Sequence, residues 1–200
     1  MRTTVIAIIT ILIFSFTTEA QNIKPKSIYA KKMTFEVGGD IFFTSTTYSR
    51  EENGMSTSSS DPELLFIIDG NAGLFAIDGL KLAVEPAIEL RSYGSNNTWT
   101  KLKLYFSPEY IFETKTNVYP YLGGSVGYTS SSYSSSNSST YGGFSWGAKG
   151  GVKVNPFGNA LINIGFSYYR ETYNYTASYG DVKQHYNIMG IKAGFSVFFR

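Results

Sequence analysis

The chain has 200 residues and no cysteine, with 17 Lys and Arg against 15 Asp and Glu and a formal net charge of +2. The missing cysteine excludes a disulfide framework, a thiolate metal site and a lipid anchor on Cys, and so small a net charge gives no reason to expect nucleic-acid binding. Aromatic residues make up 16% of the chain, with 16 Tyr and 15 Phe; this fits a soluble sandwich, a lipocalin-like barrel or the interfacial girdles of a membrane barrel.

The chain opens on Met1-Arg2, an apolar run from Val5 to Phe16, and Thr18-Glu19-Ala20. A charged start, a run too short to span a bilayer and small residues at a cut read as a secretory signal peptide over 1–20. Cleavage after Ala20 leaves a mature chain from Gln21 and removes one cation and one anion. A short N-terminal segment, 21–32, precedes a single domain over 33–200. After residue 20 no apolar run approaches the ~20 residues a membrane helix needs.

Eight segments then alternate apolar with polar or small residues, over 33–48, 64–76, 80–93, 99–112, 118–129, 141–154, 160–173 and 184–199. Strict alternation means extended strand, because successive side chains point to opposite faces. Each segment has room for the ~9–11 residues of a tilted membrane strand. Asp78-Gly79, residues 113–117 and Asn155-Pro156-Phe157-Gly158-Asn159 are short and turn-like; 49–61, 94–98, 130–140 and 174–183 are longer and polar. Short turns at one rim, long loops at the other and an even strand number predict an all-β fold, an eight-stranded antiparallel up-and-down transmembrane barrel with the long loops outside. Pro86 and Pro108 fall inside strands and predict local bulges, since a closed barrel has no edge to excuse a missing donor.

The faces decide between soluble and membrane barrels. The third strand sets Leu80, Leu82, Val84, Pro86, Ile88 and Leu90 against Lys81, Ala83, Glu85, Ala87, Glu89 and Arg91. The first and fourth strands divide likewise. An eight-stranded barrel is only just wide enough inside for side chains, so the row of large apolar residues is expected outside and the small and charged row in the lumen. That places Glu36, Asp40, Asp69, Glu85, Glu89 and Glu109 inside with Lys81, Arg91, Lys101, Lys103, Lys149, Lys153 and Lys192. Buried charges must pair, and the mixed signs point to a plugged, structural lumen rather than a selectivity ring of one sign. Closure predicts Lys192 beside Asp40 with Asp69 in reach, and Lys103 as the partner of Glu85 and Glu89.

At this point the chain resembles the small bacterial outer-membrane barrels of the OmpX, OmpW and OmpA-transmembrane type, the porin-family outer-membrane β-barrel domain. The resemblance rests on the eight-strand layout, the turn VNPFGN, the segment YPYLGGSVGY and a last strand ending in an aromatic, Phe199, with Arg200 following. It implies a Gram-negative cell envelope setting, outer-membrane lipid as surroundings, and recognition of the C-terminal strand by the barrel-assembly machinery. Some such barrels modify lipid A with an outer-rim His, a Ser and an acid; the one histidine, His185, and Glu171 on the neighbouring strand are the candidates, weighed against a solvated rim histidine. No zinc spacing, P-loop or dinucleotide fingerprint occurs in a fitting context, so no cofactor and no metal are expected. The expectation is a monomeric, non-catalytic outer-membrane protein with an envelope-integrity or surface-binding role. The alternative is a narrow pore or a conduit for small hydrophobic molecules of the OmpW sort.

Overall fold

The computed structural model describes residues 29–52, 55–93, 97–134, 139–177 and 180–200. The signal peptide expected over 1–20 and most of the 21–32 segment lie outside the described residues. The strands are β1 (Phe35–Glu52), β2 (Met55–Ile77), β3 (Leu80–Tyr93), β4 (Asn97–Ile111), β5 (Val118–Ser134), β6 (Ser139–Val154), β7 (Ala160–Ala177) and β8 (Gly180–Phe199). Each pairs antiparallel with the next, and β8 closes on β1 from Phe35–Phe199 to Glu52–Val182. Gly79, at φ 81°, makes the tight β2–β3 turn that Asp78-Gly79 predicts.

The two faces fall as the alternation requires. On β3, Lys81, Ala83, Glu85 and Glu89 are buried while Leu82, Val84, Ile88 and Leu90 are exposed. The outward row continues around the barrel through Phe43, Phe66, Leu104, Phe144, Phe166 and Ile191. Buried lysines and a continuous exposed apolar belt invert the arrangement of a water-soluble protein.

Two expectations change. The polar links 49–61, 130–140 and 174–183 are in large part strand: β1, β2, β5, β6, β7 and β8 run on into the Ser/Thr-rich stretches. Those stretches lack the apolar–polar contrast that reveals a half-buried strand, yet backbone pairing carries on without it. The prolines do not sit in bulges. Pairs Asp69–Ala87 and Ala72–Val84 bracket Pro86, and Phe106–Val126 and Glu109–Gly123 bracket Pro108, with no shift of register. The ladder is interrupted at each proline instead, and the Ser107 hydroxyl donates to the Gly124 carbonyl at 3.3 Å beside Pro108. The shifts of register lie elsewhere, between Thr46 and Tyr48 and between Phe75 and Ile77.

At the loop end the wall is not uniformly zipped. Among the described residues, β4–β5 pair up to Thr98–Ser134 and β8–β1 up to Glu52–Val182, but β2–β3 stop at Ile67–Glu89 and β6–β7 at Gly143–Tyr173.

Candidate functional site

The lumen is built in layers from the inward row of each strand. At the turn end, residues ahead of β1 fold back into the barrel. Tyr29 is 1% exposed and packs on Phe75, Tyr119 and Phe198 with ring centroids 5.4, 5.0 and 5.1 Å away. Ala30, Ile111, Tyr121 and Leu161 complete this apolar cluster. The segment is held by its backbone: the Gly79 N–H donates to Ala30 O at 2.8 Å and the Met33 N–H to Phe75 O at 2.8 Å. Ala30 and Met33 take positive φ, 63° and 66°, the left-handed turn that lets so short a segment reverse into the mouth. Outside, Lys31 bridges Asp78 at 3.3 Å and Glu113 at 2.6 Å, and the Lys32 N–H donates to Asp78 Oδ1 at 2.7 Å. The Lys32 N–H first and the Lys31 ammonium second hold the Asp78 carboxyl below the usual carboxylate range, and the Glu113 carboxylate foremost raises Lys31.

Above the plug lies the charge network. The Tyr29 hydroxyl donates to Glu36 Oε2 at 2.7 Å. Glu36 meets Lys153 at 2.6 Å and Lys81 at 3.2 Å, and Lys81 and Lys153 also reach Glu109 at 2.9 and 3.3 Å. Lys149 continues the chain from Glu109 to Glu85. Lys81 and Glu36 are fully buried. In that setting Glu36, Lys81 and Lys153 are tolerable because each has two opposite partners. A second apolar layer, Phe42, Ile67, Tyr105, Tyr169 and Ile188, crosses the middle. Beyond it Lys103 joins Glu89 at 2.9 Å and Glu171 at 2.6 Å, and Lys101 joins Glu171 at 2.7 Å. The Lys101 ammonium sits 4.4 Å from the Trp99 ring centroid and 4.2 Å from that of Tyr186, a cation–π lid at the loop end.

The lumen residues named from the sequence, Glu36, Asp40, Asp69, Glu85, Glu89, Lys103, Lys149 and Lys192, all lie on inward rows, but two pairings differ from expectation. Lys192 meets Asp69 at 2.5 Å and not Asp40, which accepts from Asn163 Nδ2 at 3.4 Å. Asp40 faces Gly194 in the β1–β8 register and Lys192 faces Phe42. Because barrel strands are tilted, the Lys192 side chain reaches diagonally over β1 to β2. Glu85 turns to Lys149 across the lumen, leaving Lys103 to Glu89 and Glu171. The side chain of Arg91 lies outside the described residues.

His185 and Glu171 stand on opposite faces of the wall. Glu171 points inward, fully buried on Lys101, whereas His185 is on the outward row of β8, 3.0 Å from the Thr172 hydroxyl. The structure does not bring His185 and Glu171, the candidates for lipid A modification, together.

Two features of the lumen were not read from the sequence: the Tyr29 plug and, Tyr105 on the inward row of the fourth strand apart, the tyrosines inside. Tyr105, Tyr119, Tyr121, Tyr169 and Tyr173 are buried in the lumen, so the tyrosine content is filler as well as girdle. Glycines make the space. Tyr105 faces Gly127 and Tyr169 faces Gly147 on the adjoining strands; a Cβ at either glycine would fall 2.7 or 2.6 Å from the ring. The Gly–aromatic alternation of β5 and β6 is the signal that could have exposed this.

No described protein family and no curated protein sequence matches the chain. Solved structures do. Neisserial surface protein A is similar at 19% identity and a TM-score of 0.56, over 82% of this chain and 96% of its own. The outer membrane protein OprG from Pseudomonas aeruginosa is similar at 14% identity and 0.51, over 85% and 97%. The outer membrane protein AlkL, studied in lipid bilayers, is similar at 12% identity and 0.53, over 90% and 96%. The likeness is one of fold, a closed eight-stranded antiparallel barrel that the chain shares with these proteins.

Proposed function

We propose that this chain is an integral outer-membrane barrel without catalytic activity and without an open pore, whose work is done by its outer surface and its loop-end hairpins. The observation that carries the reading is the filled lumen. An apolar plug around Tyr29, a network of ion pairs and a second apolar layer succeed one another along the axis. The membrane setting is supported by the apolar belt on every outward row and by the fold shared with barrels named as outer-membrane proteins. Phe199, outward and 53% exposed at the end of β8, suits recognition of that strand by an assembly machinery. Envelope integrity or surface binding follows as the role, with the barrel a rigid monomeric mount. Recording from the refolded protein in planar bilayers tests it.

A second reading, a conduit for small hydrophobic molecules through the wall, is favoured by one observation. The β2–β3 ladder opens above Ile67–Glu89, beside a small cavity lined by Phe42, Ile67, Ala87, Tyr105 and Tyr169 together with Asp69, Glu85 and Lys103. Binding of a small apolar fluorophore, abolished by a disulfide between cysteines at Phe66 and Leu90, would separate it from the structural role.

A further inference from the structure

On the outward face of β7 and β8, three cationic or polar-nitrogen side chains gather where an apolar belt ends. Thr172 faces His185 across the ladder, Arg170 faces Asn187 one pair below on the same row, and Asn174 faces Lys183 above. Residues two apart on one strand share a face roughly 7 Å apart, so Arg170, His185 and Lys183 form a short oblique line on a single surface. Arg170 and Lys183 both act electrostatically on the His185 ring, as does Glu51, which faces Lys183 from β1. Among the described residues neither Arg170 nor Lys183 makes a salt bridge, Glu51 included, while the Thr172 hydroxyl holds His185 Nδ1 at 3.0 Å. Two full cations are thus left on an outer surface where nothing in the barrel uses them.

Their height gives them a meaning. Trp146 pairs with Arg170 in the β6–β7 register and is 44% exposed. Its ring lies 6.0 Å from that of Tyr168, whose hydroxyl donates to Asn187 at 2.9 Å. An outward Trp–Tyr pair with a polar tether marks the membrane–water interface. Directly toward the turn end the same surface becomes Phe166, Met189 and Ile191, all exposed. Cations one step beyond an aromatic girdle lie among headgroups, where an Arg fork and a Lys ammonium match phosphate oxygens.

We infer that Arg170 and Lys183, with Thr172 and His185 between them, form a site on the barrel wall for the phosphate of an anionic lipid in the leaflet at the loop end. The site takes a phosphate-bearing headgroup whose acyl chains lie along Phe166 and Ile191. This rests on the membrane reading above. Glu51, facing Lys183 from β1, lowers the net positive charge of the site.

The chain has two tryptophans, Trp99 and Trp146, so Trp99→Phe leaves Trp146 as a reporter beside the site. The Trp99→Phe protein is refolded into phosphatidylcholine vesicles that carry either brominated phosphatidic acid or brominated phosphatidylcholine, and quenching of Trp146 is titrated. The expected result is an about thirtyfold preference for brominated phosphatidic acid, the scale of two interfacial cations near a headgroup. Arg170→Gln with Lys183→Gln should bring the preference to near unity, and Lys183→Gln alone, at an exposed position, should remove part of it. Millimolar inorganic phosphate should leave the quenching unchanged. Equal quenching by the two lipids in the parent, a preference that survives the double substitution, or competition by free phosphate would each overturn the proposal. Failure of the parent to insert into pure phosphatidylcholine would overturn the membrane reading instead.

Discussion

The Tyr29 hydroxyl donates to Glu36 at 2.7 Å, and this bond joins the plug to the charge network. Tyr29 precedes β1 and Glu36 is its second residue, so the chain's entry into the barrel and the filling of its lumen are one construction. Tyr29→Ala empties a fully enclosed aromatic site and should cost about 3–5 kcal/mol of barrel stability. Tyr29→Phe keeps the ring and removes only the bond to a charged partner, about 1.5–3 kcal/mol. Urea unfolding in vesicles measures both, and equal losses would show that the ring packing contributes little.

Lys192 should prove coupled to Asp69 and not to Asp40. Lys192→Met strips Asp69 of its buried partner and should cost about 3–5 kcal/mol. Adding Asp69→Asn should restore much of that, whereas Asp40→Asn should add its own effect independently. Two double-mutant cycles decide it; the larger coupling falling on Asp40 would contradict the observed pairing.

The clasp outside the plug should show itself in pH dependence. Asp78 is held below its ordinary pKa, so its contribution is complete above that value and fades as pH falls through the depressed one. Lys31 is raised, so its contribution is complete below its ordinary value and is lost as pH climbs through the raised one. The difference in urea midpoint between the parent and Lys31→Met should be flat between these limits and shrink at both ends. Both groups are exposed, and the difference should weaken with added salt.

On the lipid side, Arg at Ile88 or Leu104 should cost about 2–4 kcal/mol near the bilayer midplane. Both are outward, 38% and 56% exposed. Arg at Ala87 points into the lumen against the Phe42 layer and should fail by crowding, with a loss that does not change when the lipid is replaced by detergent. Lipid-dependent loss at Ala87 and none at Ile88 would mean that the faces are reversed.

The strand count, the closure and the facing of Lys81, Glu85 and Glu89 against Leu82, Val84 and Ile88 were legible because alternation at period two maps directly onto the two faces of a wall. What was not legible depends on geometry that period two does not carry. Strand tilt redirects Lys192 from Asp40 to Asp69. One residue of parity puts His185 and Glu171 on opposite sides. Ser130 to Ser134 carry no apolar face, so only the pairing with β4 and β6 reveals them as strand. Tyr29 stands ahead of the first alternating run, and nothing in its local sequence says that the chain doubles back. Pro86 and Pro108 point outward where a missing donor interrupts a ladder without shifting it, so no bulge was required.

Single-channel recording reads whether the lumen is filled from end to end, as proposed. The refolded protein, inserted in a planar bilayer in concentrated potassium chloride under applied voltage, should give no unitary conductance steps. Tyr29→Ala should give none either, because Lys81, Lys149 and Lys153 still bridge Glu36, Glu85 and Glu109 across the barrel. Reproducible steps of one amplitude from the parent protein would show an open lumen and make a water-filled pore the better description.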